Sequence, residues 1–262
     1  MSDAGDVSRL REIVARLRAP GGCPWDREQT HESLRAALIE ECYETIEAIE
    51  RADDANLREE LGDLLLHVVM HAQMGEERRA FDFEDVVKAV CDKLIRRHPH
   101  VFGSAQATES AQVVQLWDSI KRAEKGAGSS VLDGLPAAFP GLLLAHEVQK
   151  RAARVGFDWD DASQVLDKVG EEIEELREAI LGEGKPSIEE ELGDLFFSVV
   201  NLARKLGVDS EMAMAAGTRQ FVRRFRALEA QIVADGKKLE QTSAQDMNAL
   251  WERHKHATGP EN

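Results

Sequence analysis

Little in this chain could crosslink it. Its 262 residues include three cysteines, Cys23, Cys42 and Cys91, and none forms a Cys-x-x-Cys pair. An odd number so spaced argues against a disulfide framework and against a four-cysteine zinc site, and the expected setting is reducing and cytoplasmic. Aromatic residues are scarce, at 5%. Glycine and proline are sparse inside the long apolar-periodic stretches, where the strong helix formers Leu, Ala, Glu and Arg dominate. Period-two alternation never runs to a useful length, so strands are not expected. These shortages point to an all-α protein. The apolar runs are also short, such as Leu64–Leu66 and Leu142–Ala145, too short to span a bilayer. The first residues, MSDAGDVSRLREI, lack the basic-then-apolar layout of a signal sequence. No membrane association is expected.

Positive charge is the remaining shortage. Lys and Arg number 33 against 49 Asp and Glu, for a formal net charge of −16. An acidic field repels phosphate backbones, so no nucleic-acid partner is expected. The same field suits a multivalent cation. Once bound, that cation reverses the local sign and can attract a small anionic substrate.

What the chain does have is an internal repeat. IEECYETIEAI (Ile39–Ile49) aligns with GEEIEELREAI (Gly170–Ile180), and REELGDLLLHVVMHA (Arg58–Ala72) with EEELGDLFFSVVNLA (Glu189–Ala203). Both alignments have the same offset, 172 − 41 = 131 and 194 − 63 = 131. With shifted offsets CPWD (Cys23–Asp26) answers FDWD (Phe157–Asp160), LIRRH (Leu94–His98) answers FVRRF (Phe221–Phe225), and LWDSIK (Leu116–Lys121) answers LWERHK (Leu250–Lys255). A Gly-, Ser- and Pro-rich stretch, Glu124–Gly141, separates the halves and reads as a connection. Helical spacing recurs at Leu34, Leu38, Ile39, Cys42, Ile46 and Ile49, at Leu61, Leu64, Leu65, Val68, Val69 and Ala72, and at Val165, Val169, Ile173, Leu176 and Ile180. Each half is expected to fold as a compact bundle of four to five helices.

The repeat carries carboxylates in register. Glu41 and Glu44 are three residues apart on one helix and share a face, and Glu60 and Asp63 do so on the next. An antiparallel turn between the helices would bring the two pairs together. Glu172, Glu175, Glu191 and Asp194 repeat the arrangement. Four converging carboxylates repel one another and raise their own pKa values unless a cation lies among them. Hard oxygen donors suit Mg²⁺ or Mn²⁺. A lone Glu-x-x-Glu is commonly just a solvated helix face, but two pairs occurring twice in register weigh against that reading. A di-iron bundle would require Glu-x-x-His on two helices. His67 and His71 follow Asp63, but Ser198 and Leu202 stand at the equivalent places, so these histidines read as packing or surface residues.

Taken together, GGCPWDREQTHESL (Gly21–Leu34), EECYE, EELGDLL, KLIRRHPHVF (Lys93–Phe102), VGFDW (Val155–Trp159), EEIEE, EELGDLFFSVVNLAR (Glu190–Arg204) and RRFRALE (Arg223–Glu229) resemble the bacterial MazG family of nucleoside triphosphate pyrophosphohydrolases over nearly the whole chain. The resemblance implies an all-α NTP pyrophosphatase fold with tandem MazG domains, divided as residues 1–125, a linker at 126–141, and residues 142–262. It also implies a homodimer, Mg²⁺ as cofactor with Mn²⁺ able to substitute, and conversion of an NTP and water to an NMP and pyrophosphate. The family's metal motif falls on Glu172, Glu175, Glu191 and Asp194, and again on Glu41, Glu44, Glu60 and Asp63. Its nucleotide contacts fall on Lys168, Glu171, Glu190, Arg224 and Trp251. Where similar proteins carry a lysine before Glu-x-x-Asp this chain has Ser187, and near the arginine helix it has Thr218 and Gln220. Lys185 or Arg219 is the expected substitute for phosphate binding.

The expected mechanism is attack of a metal-activated water on the α-phosphorus. Glu171 or Glu190 would position or deprotonate the water, Lys168 and Arg224 would neutralise phosphate charge, and Trp251 would stack on the base with broad tolerance. Each has a plainer alternative. Lys168 could simply pair with Glu171 or Glu172, Arg224 could brace a helix, and Trp251 could anchor the core. The first half keeps Arg97 and Trp117 but has Ala37 where the second has Lys168, so the second half is expected to carry most of the activity. Two rivals stand beside this reading: a non-catalytic helical scaffold assembled through divalent ions, and a metal-dependent phosphodiesterase of a signalling nucleotide.

Overall fold

The computed structural model describes residues 6–125, 128, 130–182 and 188–257. It divides into two compact units, Met1–Gly126 and Ala127–Asn262. The first holds α1 (Val7–Arg18), α2 (Pro24–Glu28), α3 (Arg35–Glu50), α4 (Asp54–Glu77), α5 (Phe83–Arg97), α6 (Pro99–Phe102) and α7 (Ser110–Lys125). The second holds α8 (Gly141–Ala153), α9 (Ala162–Leu181), α10 (Ile188–Lys205), α11 (Ser210–Ala234), a 3₁₀ turn (Leu239–Gln241) and α12 (Ala244–Ala257). No strand occurs among the described residues, so the protein is all-α. Among the described residues no helix is long and apolar enough to cross a membrane.

Part of the acid excess starts helices. Asp6, Asp53, Asp82, Asp161 and Asp209 cap α1, α4, α5, α9 and α11, each accepting hydrogen bonds from backbone N–H groups of the first turn. A carboxylate there satisfies N–H groups that have no helical partner and faces the positive end of the helix dipole. The sharp connection from α3 to α4 places Ala52 at φ 52° and turns the chain back on itself, so α4 packs along α3. In the second unit α10 packs along α9 in the same way.

The first core gathers Val14, Leu34, Val69, Met70 and Met74, flanked by Leu10 and Phe83. The second gathers Leu228, Ile232 and Leu250, flanked by Leu239, Met247 and Trp251. Other apolar residues stay outside. Ile49, Leu61, Leu65 and Val68 are exposed, and so are Ile180, Leu192, Phe196 and Val199, their partners at the offset of 131. Each unit therefore leaves the same apolar helix face uncovered within its own fold.

An arginine pins the Trp-Asp loop of each unit. In the first, Arg18 of α1 donates to the backbone carbonyls of Asp26 and Gln29 and pairs with Glu77 at 2.8 Å. In the second, Arg204 of α10 pairs with Asp158, while the Lys205 ammonium donates to the Trp159 carbonyl at 2.6 Å.

Candidate metal centre and the adjoining cavity

Glu172 and Glu175 project from α9 and Glu191 from the first turn of α10, and oxygens of all three lie within 4.8 Å of one another. Glu172 and Glu191 are buried. Burial pushes the Glu191 carboxyl above its ordinary range, and the nearby charges of Glu175, Asp194 and Glu172 push it further. In the first unit Glu41, Glu60 and Asp63 meet within the same distance. Glu41 is raised by burial and then by Asp63 and Glu44, and Glu60 by burial and then by Glu44, Glu41 and Asp63. Three of each expected four acids thus converge. Glu44 and Asp194 lie outside these closest groups but near enough to add to the repulsion. Partly buried all-oxygen donors that destabilise their own ionised forms fit a hard divalent cation.

The second centre has a built-in counter-charge. The Lys168 ammonium lies 3.1 Å from Glu172, 3.2 Å from Glu171 and 3.9 Å from Glu175. Hydrogen bonds to Glu172 and then Glu171 raise its pKa. Glu171 and Glu190 are exposed beside the buried acids. Arg224 is half-buried on α11 and Arg219 is exposed on the same helix. Trp251 of α12 rests on Phe221 of α11, with ring centroids 5.1 Å apart, and flanks the core cluster. Lys185 lies outside the described residues.

Beside the second centre is a cavity of about 670 Å³. Lys168, Glu172 and Asp194 line it together with Gln149, Ala152, Phe157, Trp159, Val165, Ser198 and Asn201. Neither Arg224 nor Trp251 is among its lining residues. At the offset of 131, the first unit has Ala37, His67 and Met70 where the second has Lys168, Ser198 and Asn201. Met70 is part of the first core and His67 is buried. His71, one turn on from His67, stacks on His31 with Nδ1 atoms 2.7 Å apart. His67 and Met70 are thus larger than Ser198 and Asn201 at the same places, while Ala37 lacks the charge of Lys168. Arg97, the counterpart of Arg224, pairs with Glu124 at 2.6 Å and lies over the Trp117 ring. Arg97 and then Arg96 hold the Glu124 carboxyl down at about 2.

Sequence reasoning overlooked Gln149. The available signal was an amide on the stripe of α8 that begins with Leu142 and Ala145, a position where an apolar residue is expected.

A family model for the MazG nucleotide pyrophosphohydrolase domain matches residues 29–102 and 161–227, segments that contain both sets of acids. The chain is 47% identical over 257 residues to the nucleoside triphosphate pyrophosphohydrolase/pyrophosphatase MazG of Thermotoga maritima, covering 97% of this chain and 98% of that protein. It is 44% identical over 256 residues to the nucleoside triphosphate pyrophosphohydrolase of Escherichia coli strain K12, covering 95% and 97%. An uncharacterized Bacillus subtilis protein, YabN, is 42% identical over 252 residues, which cover 95% of this chain and 52% of YabN.

Proposed function

The chain belongs to the MazG family of nucleotide pyrophosphohydrolases, and on that premise we propose that its second unit hydrolyses nucleoside triphosphates to monophosphate and pyrophosphate with Mg²⁺ held by Glu172, Glu175, Glu191 and Asp194. Mn²⁺ would satisfy the same oxygen donors. The observation that carries this reading is the shared wall between acids and cavity: Glu172, Asp194 and Lys168 belong to both. A triphosphate bound at the acids has room beside it for its nucleoside. The first unit has the acids but carries the buried His67 and Met70 where the second has Ser198 and Asn201.

When bound, the metal supplies positive charge for the triphosphate and a water of lowered pKa. Glu171 or Glu190, exposed beside the acids, takes the water proton. A bond forms from the water oxygen to the α-phosphorus, and the bond from that phosphorus to the bridging oxygen breaks. Pyrophosphate leaves with the electron pair. Lys168 moves its hydrogen bonds from Glu172 to a phosphate oxygen, which frees that carboxylate for the ion. Arg224 clamps a second phosphate oxygen. Trp251, seated on Phe221, holds α12 against the helix that bears Arg224.

The exposed apolar residues that recur in both units support assembly as a homodimer, since association would bury them. The tandem division at residues 126–141 and a cytoplasmic site of action complete the reading. Cys23, Cys42 and Cys91 are all free thiols, as suits a reducing compartment.

The test measures NMP and pyrophosphate from several NTPs with Glu172→Ala and Glu41→Ala made separately. The expected loss is about a hundredfold or more for Glu172→Ala and much smaller for Glu41→Ala. Equal losses would refute the division of labour between units. NDP and phosphate as products would refute attack at the α-phosphorus.

A further inference from the structure

The contact between His31 and His71 is one link in a longer series of hydrogen bonds in the first unit. The Arg78 guanidinium lies 2.7 Å from His31 Nε2, and His31 Nδ1 lies 2.7 Å from His71 Nδ1. Arg78 also donates from Nε to the Met74 carbonyl at 3.3 Å, which fixes the guanidinium at the end of α4. A guanidinium stays charged and can only donate. His31 Nε2 is therefore a bare acceptor, His31 Nδ1 carries the proton, and His71 Nδ1 accepts it. One arrangement of protons satisfies both bonds, and in it both rings are neutral.

A further proton breaks this arrangement wherever it is placed. On His31 it sets an N–H against the N–H groups of Arg78. On His71 it sets one N–H against another between the rings, unless His31 moves its own proton to Nε2, which again faces Arg78. The surroundings also disfavour it. Burial lowers the pKa of His71, and His31 and then His67 lower it further. His67, with its ring centre 6.3 Å from that of His71, is lowered by burial against an opposing pull from Asp63. Among the packed helices, α1 brings Arg18, which is paired with Glu77, and α5 brings Glu84, which is paired with Arg11. Arg35 of α3 donates to the Glu32 carbonyl. Glu32 is exposed beside His31 and favours charge on that ring, while Arg78 opposes it at hydrogen-bond distance.

His31 sits in the connection between α2 and α3, and His71 on α4. That connection ends in Leu34, which is buried in the first core. We propose that Arg78, His31 and His71 form an acid-released latch, which ties the connection before α3 to α4 while both rings are neutral and lets go when the pair takes up one proton. Arg78 sets the sensitivity. Without it, a singly protonated pair keeps its N–H···N bond and carries the extra proton on the outer nitrogen of His31. At the offset of 131 the second unit has Leu202 in place of His71, so the latch belongs to the first unit. The unfolded chain accepts a proton at the ordinary imidazole value of 6.5, which the folded His71 resists. The latch therefore stabilises in full above that value and is lost as pH falls from there towards the folded value.

Two-bond nitrogen–proton correlation spectra of the whole chain report the tautomer and charge of each histidine ring. At about pH 7.5 His31 should be neutral with its proton on Nδ1, the form that a free imidazole side chain disfavours, and His71 neutral with its proton on Nε2. During titration to about pH 5 the backbone amide signals from Thr30 to Leu34 should shift with the midpoint of His71. Arg78→Met keeps a long side chain and removes the donors, and it should raise that midpoint, a gain of about three- to thirtyfold in proton affinity. A wild-type His31 that is charged at neutral pH, or that carries its proton on Nε2, would overturn the latch with no variant needing to fold. So would a midpoint unchanged in folded Arg78→Met, or amides of the connection that do not follow His71.

Discussion

The ammonium of Lys168 lies 3.1 Å from a carboxylate oxygen of Glu172, one helical turn along α9. In this structure the lysine neutralises an acid that the proposed metal would also need. Removing it has two opposed effects: the acids become freer to take the ion, and a phosphate oxygen loses its partner. Lys168→Ala should therefore bind Mg²⁺ at least as tightly as wild type by titration calorimetry while kcat/KM for ATP falls by about a hundredfold. Weaker Mg²⁺ binding would mean that the lysine builds the acid cluster rather than serving the substrate.

The raised carboxyl of Glu191 gives a pH dependence of definite sign. Between the ordinary carboxylate range and its own higher value, the folded chain binds more protons than the unfolded chain. Folding stability from this group is therefore lost as pH rises through the raised value. Above it the ionised cluster works against the fold until a cation binds. Without metal, Glu191→Gln should melt higher than wild type at about pH 8, and the difference should shrink towards about pH 5. Adding Mg²⁺ should raise the wild-type midpoint more than the variant's. A metal-free variant that melts lower at pH 8 would contradict the repulsion.

Glu124 gives the opposite sign. Its carboxyl is lowered from 4.5 to about 2 by Arg97 and Arg96. Its contribution is present in full above 4.5 and is lost as pH falls towards about 2. The stability gap between wild type and Glu124→Gln, read by denaturant titration, should be constant near neutrality and close with acid. A gap unchanged at pH 2.5, an acidity chosen within about half a unit of the folded value, would show that the glutamate acts by packing alone.

The Asp158 carboxylate, lowered chiefly by its hydrogen bond from Arg204, holds the Phe157–Trp159 loop to α10. Asp158→Asn weakens that tie without touching an acid of the metal centre. Steady-state kinetics should show KM for ATP rising several-fold, about 3 to 10, with kcat changing less than about twofold. A fall in kcat alone would place the loop's influence on the chemical step.

The helices and the acidic pairs were legible because both are local. Spacing along one helix decides which residues share a face, and a repeat at one offset doubles that signal. Glu41 with Glu60 and Asp63, and Glu172 and Glu175 with Glu191, meet as the spacing implied. What was not legible depends on pairings across the fold. The sequence leaves Lys168 either neutralising phosphate or pairing with Glu171 or Glu172, and the coordinates show it on Glu172. His71 reads as a packing or surface residue, and its contact with His31 joins positions 40 apart. Gln149 stayed hidden because its place on the cavity wall depends on how α8 packs against α10, which no periodicity encodes. The exposed apolar faces reversed an expectation of a simpler kind. Ile49 and Leu61 sit at helical spacing like core residues yet lie outside their unit's core.

The arginines that pin the two Trp-Asp loops are not equivalents of each other. Arg18 comes from the helix before its loop, and the matching position beside the second loop, shifted by the 134 residues that separate Asp26 from Asp160, is Ala152. Arg204 comes from α10, and its partner at the offset of 131 is Gln73. The two repeated units thus hold corresponding loops in place from different helices. The residue that does the holding differs between the units, while the loop is tied down in both.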